Sequence, residues 1–386
     1  MEITLVVNPG SSSKKYAFYE GDKLLLSAKY EKTSDGYASC VSLNKDITRK
    51  SEVDEFDYRE ALGEAIKTAF DNNLINENKP IKRVGVRVVA PGSYFLEHKL
   101  IDDRFVAELE KVAATAPLHI PVLLEEIKSL MSILPEAQLY AASDSAFHST
   151  IPDWRQKYTL FDATDRGIRR YGYHGLSVAS VARRLNTVFK DRSHSKCLVL
   201  HVGNGISATA LLEGASVSNS MGYTPASGLV MGSRSGDMDP GALIEFLRVK
   251  NISGVEAQTY FQQNGGLKGV LGNSDIRSML ERVSQKDSLA IDTLSLFVEK
   301  IQQTILSYAV TLRGIDSIVL TGTAVERNPD LRKKILKDLP LLKLSLDEDL
   351  NEQIFSKTEI ISDQNSSVCV AVITTDEMGE IARTLV

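Results

Sequence analysis

Cysteine is scarce in this chain of 386 residues: Cys40, Cys197 and Cys369 lie far apart, are odd in number and form no CxxC or Cys/His cluster. That argues against a disulfide framework and a structural zinc site, and it fits a reducing, cytoplasmic compartment. No apolar run reaches the roughly 18 residues of a transmembrane helix, and Met1-Glu2-Ile3-Thr4 lacks the basic region of a signal peptide. Positive charge is not in excess either. With 45 Lys and Arg against 50 Asp and Glu, the net charge is −5, so no broad basic field awaits a nucleic acid or an anionic membrane. A Walker A sequence is absent. Gly203-Asn204-Gly205-Ile206-Ser207-Ala208 matches the loose GxGxxG/A dinucleotide pattern, but β-rich Ile206–Leu212 follows it where a helix should, and no acidic residue stands about 20 positions on. A nicotinamide dehydrogenase is therefore a poor reading.

What is present describes a folded, multidomain α/β protein. Hydrophobic residues make up 43%, enough for a core, and the length implies two to three domains. Ile3–Val7 reads as a strand, Asn8 to Ser13 as a tight turn, and Lys15–Tyr19 and Lys23–Ala28 as further strands of a meander. Amphipathic helices are expected next, the first over Phe56–Phe70 with Leu62, Ala65, Ile66, Ala69 and Phe70 on one face. Arg83–Val89 and Ala137–Ala142 read as strands, the second delivering Asp144 at its C-terminal end. Leu176–Phe189 reads as helix, Lys196–His201 as strand and Ser288–Arg313 as a long helix with a period near 3.6.

One internal repeat stands out. Leu5-Val6-Val7-Asn8-Pro9-Gly10 overlays Leu198-Val199-Leu200-His201-Val202-Gly203 at an offset of 193 residues, half the chain. A gapless register carries on to Glu20-Gly21 over Glu213-Gly214. Two hairpins can resemble each other by chance, but the half-length offset favours duplication. Two such polar loops facing each other would clamp an anion, since their backbone N–H groups form nests for phosphate oxygens.

Several segments together resemble one family. Asn8-Pro9-Gly10-Ser11-Ser12-Ser13-Lys14-Lys15, Ala116-Pro117-Leu118-His119, Asp144-Ser145-Ala146-Phe147-His148 and Arg170-Tyr171-Gly172-Tyr173-His174-Gly175 come in order. His201-Val202-Gly203-Asn204-Gly205 and the stretch from Ser220 through Met231-Gly232-Ser233-Arg234 to Asp237 follow. The set is similar to acetate kinases, with propionate and butyrate kinases as near relatives, and spans nearly the whole chain.

The resemblance implies the duplicated actin/Hsp70/sugar-kinase (ribonuclease-H-like) fold, with domains at 1–148 (completed by 378–386) and 149–377 around a cleft. It implies reversible transfer of the γ-phosphoryl group of ATP to acetate, with Mg2+ or Mn2+, in a homodimer. By resemblance, Arg87 and Arg234 neutralise charge on the reacting groups, His174 stabilises the transition state, and His119 and His201 line the phosphate path. Asn8, Asp144 and Glu377 are the metal-linked positions. A carboxylate acceptor is already ionised, so Asp144 is assigned to the metal rather than to proton abstraction. Ser11, Ser13 and Lys15 form one phosphate loop; His201, Val202, Gly203, Asn204 and Gly205 form the other. Val89, Leu118, Tyr173 and Pro225 form the acyl pocket, where Tyr173 adds a hydroxyl to a mostly apolar surface. Asp275, Ile276 and Arg277 match the adenosine segment.

The second nucleotide loop, G-I-G-E-N in the family, reads Thr323-Ala324-Val325-Glu326-Arg327 here. Two β-branched residues at glycine positions are expected to obstruct backbone approach to the nucleoside. Another phosphoryl donor, such as pyrophosphate or a different nucleotide, or another short-chain acyl acceptor stays open at this point, as does a non-catalytic nucleotide sensor.

Overall fold

The computed structural model describes residues 2–385 apart from Ser11, Ser34, Lys45 and Leu118. The chain forms two compact units, residues 1–146 with 376–386, and residues 147–375.

The first unit is built on strands β1 (Ile3–Pro9), β2 (Ser13–Glu20), β3 (Lys23–Lys32), β4 (Tyr37–Leu43), β5 (Asp46–Val53), β6 (Ile81–Val88), β7 (Lys99–Leu100) and β8 (Gln138–Ser143). Their order in the sheet is β5-β4-β3-β2-β1-β6-β8-β7. The meander from β1 to β5 is antiparallel, whereas β1, β6 and β8 run parallel. Central parallel strands are covered on both faces and so carry near-continuous apolar runs. Leu5, Val6, Val7, Val84, Val86 and Val88 are accordingly shut from solvent.

The second unit contains β9 (Lys196–Val202), β10 (Ile206–Leu212), β11 (Ala215–Asn219), β12 (Ser317–Thr321), β13 (Glu359–Ile360) and β14 (Cys369–Val372), ordered β11-β10-β9-β12-β14-β13. Strand for strand this repeats β3-β2-β1-β6-β8-β7, with the same parallel and antiparallel senses. The duplication is therefore a property of the fold. The gapless repeat is one residue out beyond the first loop. Pro9 pairs with Lys14 across four residues, but Val202 pairs with Ile206 across three. Opposite Ile3 stands Glu20, and opposite Lys196 stands Leu212, so Glu20 corresponds to Leu212 rather than to Glu213.

Two helix readings change as well. Residues 56–70 are split into Glu55–Arg59 and Ala61–Asp71. Leu62, Ala65 and Ala69 are buried, but Phe70 turns outward. Residues 176–189 divide into Gly175–Ala182 and Leu185–Phe189. The helix Ser288–Leu312 follows its sequence period, burying Ala290, Leu294, Phe297, Ile301, Ile305, Tyr308 and Leu312. Cys40, Cys197 and Cys369 are free thiols.

Candidate active site

In the first unit Asn8, Arg87 and Asp144, and in the second His201 and Thr323, lie at or just after the carboxyl ends of parallel strands, where open α/β sheets hold ligands. In the first unit Asn8 is near the end of β1, Arg87 near the end of β6, and Asp144 follows β8, its N–H still bonded to Val88 O at 2.9 Å. Three adjacent strand ends thus deliver three polar side chains to one spot. The guanidinium of Arg87 donates through Nε to Asp144 Oδ1 (3.3 Å) and through Nη2 to Oδ2 (3.1 Å), a two-pronged fork. Its Nη1 donates to Asn8 Oδ1 at 3.4 Å and lies 3.7 Å from Glu377 Oε2. Asn8 Nδ2 in turn donates to the same Glu377 oxygen at 3.3 Å. Burial alone would pull the Arg87 pKa down, but the negative charges of Asp144 and Glu377 outweigh it and raise it.

Lys15 stands directly across from Asn8 in the β1–β2 ladder, so both side chains share a sheet face. Lys14 points to the opposite face. There it pairs with the buried carboxylate of Glu126 at 3.3 Å, which also accepts from Tyr16 Oη at 2.7 Å. Ser13 closes the loop by accepting from Gly10 N at 2.8 Å through its carbonyl. His119 stands immediately before the helix Ile120–Ile133, and Val89 follows β6. Ser11 and Leu118 lie outside the described residues.

The second unit gathers His174, His201, Gly205 and Arg234. His174 holds a left-handed backbone (φ 62°) immediately before the helix Gly175–Ala182, a conformation uncommon for a residue with a Cβ. Its Nδ1 is 3.0 Å from Ser207 Oγ, and its ring lies 4.5 Å from that of His201. Arg234 is held by bonds from Nη1 to Pro225 O (3.1 Å) and Met231 Sδ (3.7 Å). Both side chains close on Gly205: a Cβ there would stand 2.9 Å from His174 Nε2 and 3.3 Å from Arg234 Nη1. The three-residue loop carrying Gly205 is tied by Gly203 N to Gly205 O at 3.0 Å and by Gly232 N to Asn204 O at 3.3 Å. Ser207 escaped the motif comparison. Its only signal was alternation along β10, which puts it on the face opposite Ala208.

Several expectations need correction or refinement. Tyr173 does not offer a hydroxyl to a pocket wall. The residue is fully buried, and its Oη donates to Tyr223 O at 2.6 Å. His148, within a matched segment, is a core residue whose ring nitrogens meet Ser216 Oγ and Tyr173 O, each at 2.9 Å. Asp275 caps the helix Ile276–Ser284 by accepting from Arg277 N at 2.8 Å, and it pairs with the exposed Arg277 guanidinium at 2.7 Å.

The Thr323–Arg327 segment is a helix rather than an open loop. Its Val325 side chain is fully buried, so it does not stand in the way of a nucleoside, while Thr323 and Arg327 remain exposed. Gly322 before it requires glycine: its φ is 93°, and a Cβ would lie 2.6 Å from Val202 O. Glu326 Oε1 accepts from Gly322 N at 2.8 Å and pins the turn.

Among the described residues no group of three His, Cys, Asp or Glu side chains gathers as a metal cage. Two carboxylates and an amide around Arg87 are hard oxygen donors. They fit a cation such as Mg2+, which takes one or two carboxylates and completes its shell with water and phosphate.

Duplicated mixed sheets with polar groups at their parallel strand ends define an α/β two-domain kinase of the actin-like fold. The chain belongs to the acetokinase family, whose model matches residues 3–383. Acetate kinase from Clavibacter michiganensis subsp. michiganensis is 34% identical over 390 residues, covering 99% of this chain and 98% of its own. A Francisella tularensis propionate kinase structure superposes with a TM-score of 0.89 at 30% identity (99% of this chain, 98% of that one). Porphyromonas gingivalis acetate kinase gives 0.86 at 29% (100% and 98%). This family phosphorylates a carboxylate, and a silent sensor is not favoured.

Proposed function

We propose that this chain is an acetate kinase that reversibly transfers the γ-phosphoryl group of ATP to acetate, giving acetyl phosphate and ADP. An acetate oxygen attacks the γ-phosphorus, the bond to the β–γ bridging oxygen breaks, and the electron pair leaves with ADP. No proton need move. Such a transfer asks for charge neutralisation and in-line placement. The observation that carries the reading is the closure of His174 and Arg234 on the bare Cα of Gly205, which puts an imidazole nitrogen and a guanidinium beside a loop that can admit phosphate oxygens.

Arg234 and His174 serve the transferring phosphoryl group, and Ser207 holds the His174 ring. Arg87 serves the acetate carboxylate, its fork kept aligned by Asp144. Ser11, Ser13, Lys15, His119 and His201 to Gly205 bind phosphate oxygens. Val89, Leu118 and Pro225 line the acyl group. Asp275, Ile276, Arg277 and the Thr323–Arg327 helix meet the nucleoside. Asn8, Asp144 and Glu377 would hold Mg2+, which neutralises phosphate charge when bound. The two compact units are taken as the duplicated domains of the family.

Free thiols favour the cytoplasm. The family resemblance points to a homodimer, and the second unit exposes large apolar side chains, Trp154, Leu160, Phe161, Ile244 and Val249, that an association could cover. Hydroxamate detection of acyl phosphate tests the reading, with acetate, propionate and butyrate as acceptors and ATP, GTP and pyrophosphate as donors. Acetate with ATP is expected to dominate. Failure to form acetyl phosphate from ATP would refute it.

A further inference from the structure

Arg332, in the helix Pro329–Leu336, is the largest side chain wholly removed from solvent among the described residues. No carboxylate among them pairs with it. Its donors fan out to oxygens of neutral groups instead. Nε meets Asn351 Oδ1 at 2.8 Å, Nη1 meets Val325 O at 2.6 Å, and Nη2 meets Ile354 O at 3.0 Å and also Asn351 O. Asn351 is itself buried and donates to Pro329 O at 3.2 Å. Burial without an anion pulls the guanidinium down to about 10. A cation placed this way is unfavourable unless its hydrogen bonds secure something.

One of these bonds reaches back to the Thr323–Arg327 helix, and the other three hold the 351–354 segment. The last carbonyls of a helix have no partner inside it. Here Val325 O receives Arg332 Nη1, and Glu326 O receives Ser356 N at 2.9 Å. Arg327 Nε adds a bond to Ser356 Oγ at 3.2 Å. A single helical turn, far too short to be stable alone, is thereby clamped to the 351–356 segment.

We propose that Arg332 is a positioning residue for the phosphoryl donor: with Asn351 it fixes the Thr323–Arg327 helix so that exposed Thr323 and Arg327 stand where the nucleoside is received. This rests on the reading of that helix as nucleoside-contacting. Arg332→Lys keeps the charge but loses the planar fork. In the full-length chain it should raise the KM and the Kd for ATP by about tenfold, while kcat and the KM for acetate stay within about threefold. Asn351→Ala removes the Nε acceptor and should shift the same quantities in the same direction. If Arg332→Lys yields no folded protein, Asn351→Ala decides by the same split. A merely structural role would lower the melting temperature and leave ATP affinity at the wild-type value, and that result overturns the proposal. A wild-type chain that phosphorylates no acetate would instead defeat the functional reading. The ATP dissociation constants of wild type and variants, measured by calorimetry, would still decide the role of Arg332.

Discussion

Gly205→Ala adds one methyl group at the place where His174 and Arg234 meet. The backbone of Gly205 is not in the left-handed region, so alanine fits it without dihedral strain and the effect is steric. The new Cβ would stand 2.9 Å from His174 Nε2 and 3.3 Å from Arg234 Nη1, whereas ordinary contact begins near 3.4 Å. Most of the adjustment falls on the imidazole, which must withdraw by about half an ångström. Ser207 resists, because its hydroxyl holds Nδ1 at 3.0 Å. Overpacking of this kind costs roughly 1–3 kcal/mol, some of it in stability. A misplacement of about 1 Å at reacting groups costs about 100-fold, so half that distance at His174, with a smaller push on Arg234, should lower kcat by about 10–100-fold. The assay is steady-state hydroxamate formation from acetate and ATP, with the melting temperature recorded alongside. A kcat within about twofold of wild type in a well-folded variant would refute the claim that these two side chains act from this niche.

Arg87→Lys should lower kcat/KM for acetate by about 10²–10⁴, because a single ammonium cannot reproduce the two-pronged fork on Asp144; unchanged acetate kinetics would remove Arg87 from the site. Glu126→Gln should cost about 1–3 kcal/mol in urea unfolding, since partly exposed Lys14 loses its charged partner but keeps its bond to Arg59 O, and Lys14→Met in the same chain should recover part of it. Gly322→Ala should lower the melting temperature and cut expression, since a Cβ at φ 93° would press on Val202 O. With Val325 turned inward, ATP should be preferred over GTP, CTP and pyrophosphate in donor kinetics; equal use of all four would mean that Thr323 and Arg327 obstruct the nucleoside after all.

The parallel strands and their terminal residues were legible because they are apolar runs ending at polar or glycine-rich turns. β4 and β5 were not, because Tyr37–Leu43 and Asp46–Val53 mix serines and charges on an exposed sheet edge and show no apolar run. The motif comparison placed His174 and Arg234, but not Ser207, whose role depends on a neighbour 33 residues away. Val325 was misjudged for a related reason. A residue type foretells obstruction only if its side chain faces the ligand, and direction along a one-turn helix depends on Arg332 and Glu326 rather than on Val325 itself. The repeat was visible, but its one-residue contraction appears only in strand pairing.

The helix Glu377–Arg383 belongs to the first unit: Ile381 and Leu385 fill the space beside Gly85 on β6, and Arg83 donates to Leu385 O at 2.8 Å. During synthesis this means that the first unit waits for the ribosome to finish the second. Asn8 and its partner Glu377 are 369 residues apart, a delay of roughly 20–75 seconds at about 5–20 residues per second. Through that interval β1 and β6 carry an apolar surface without its final cover, and the carboxylate that meets Arg87 beside Asp144 has not yet been made. Nascent chains stalled before residue 376 should therefore be the species that chaperones hold.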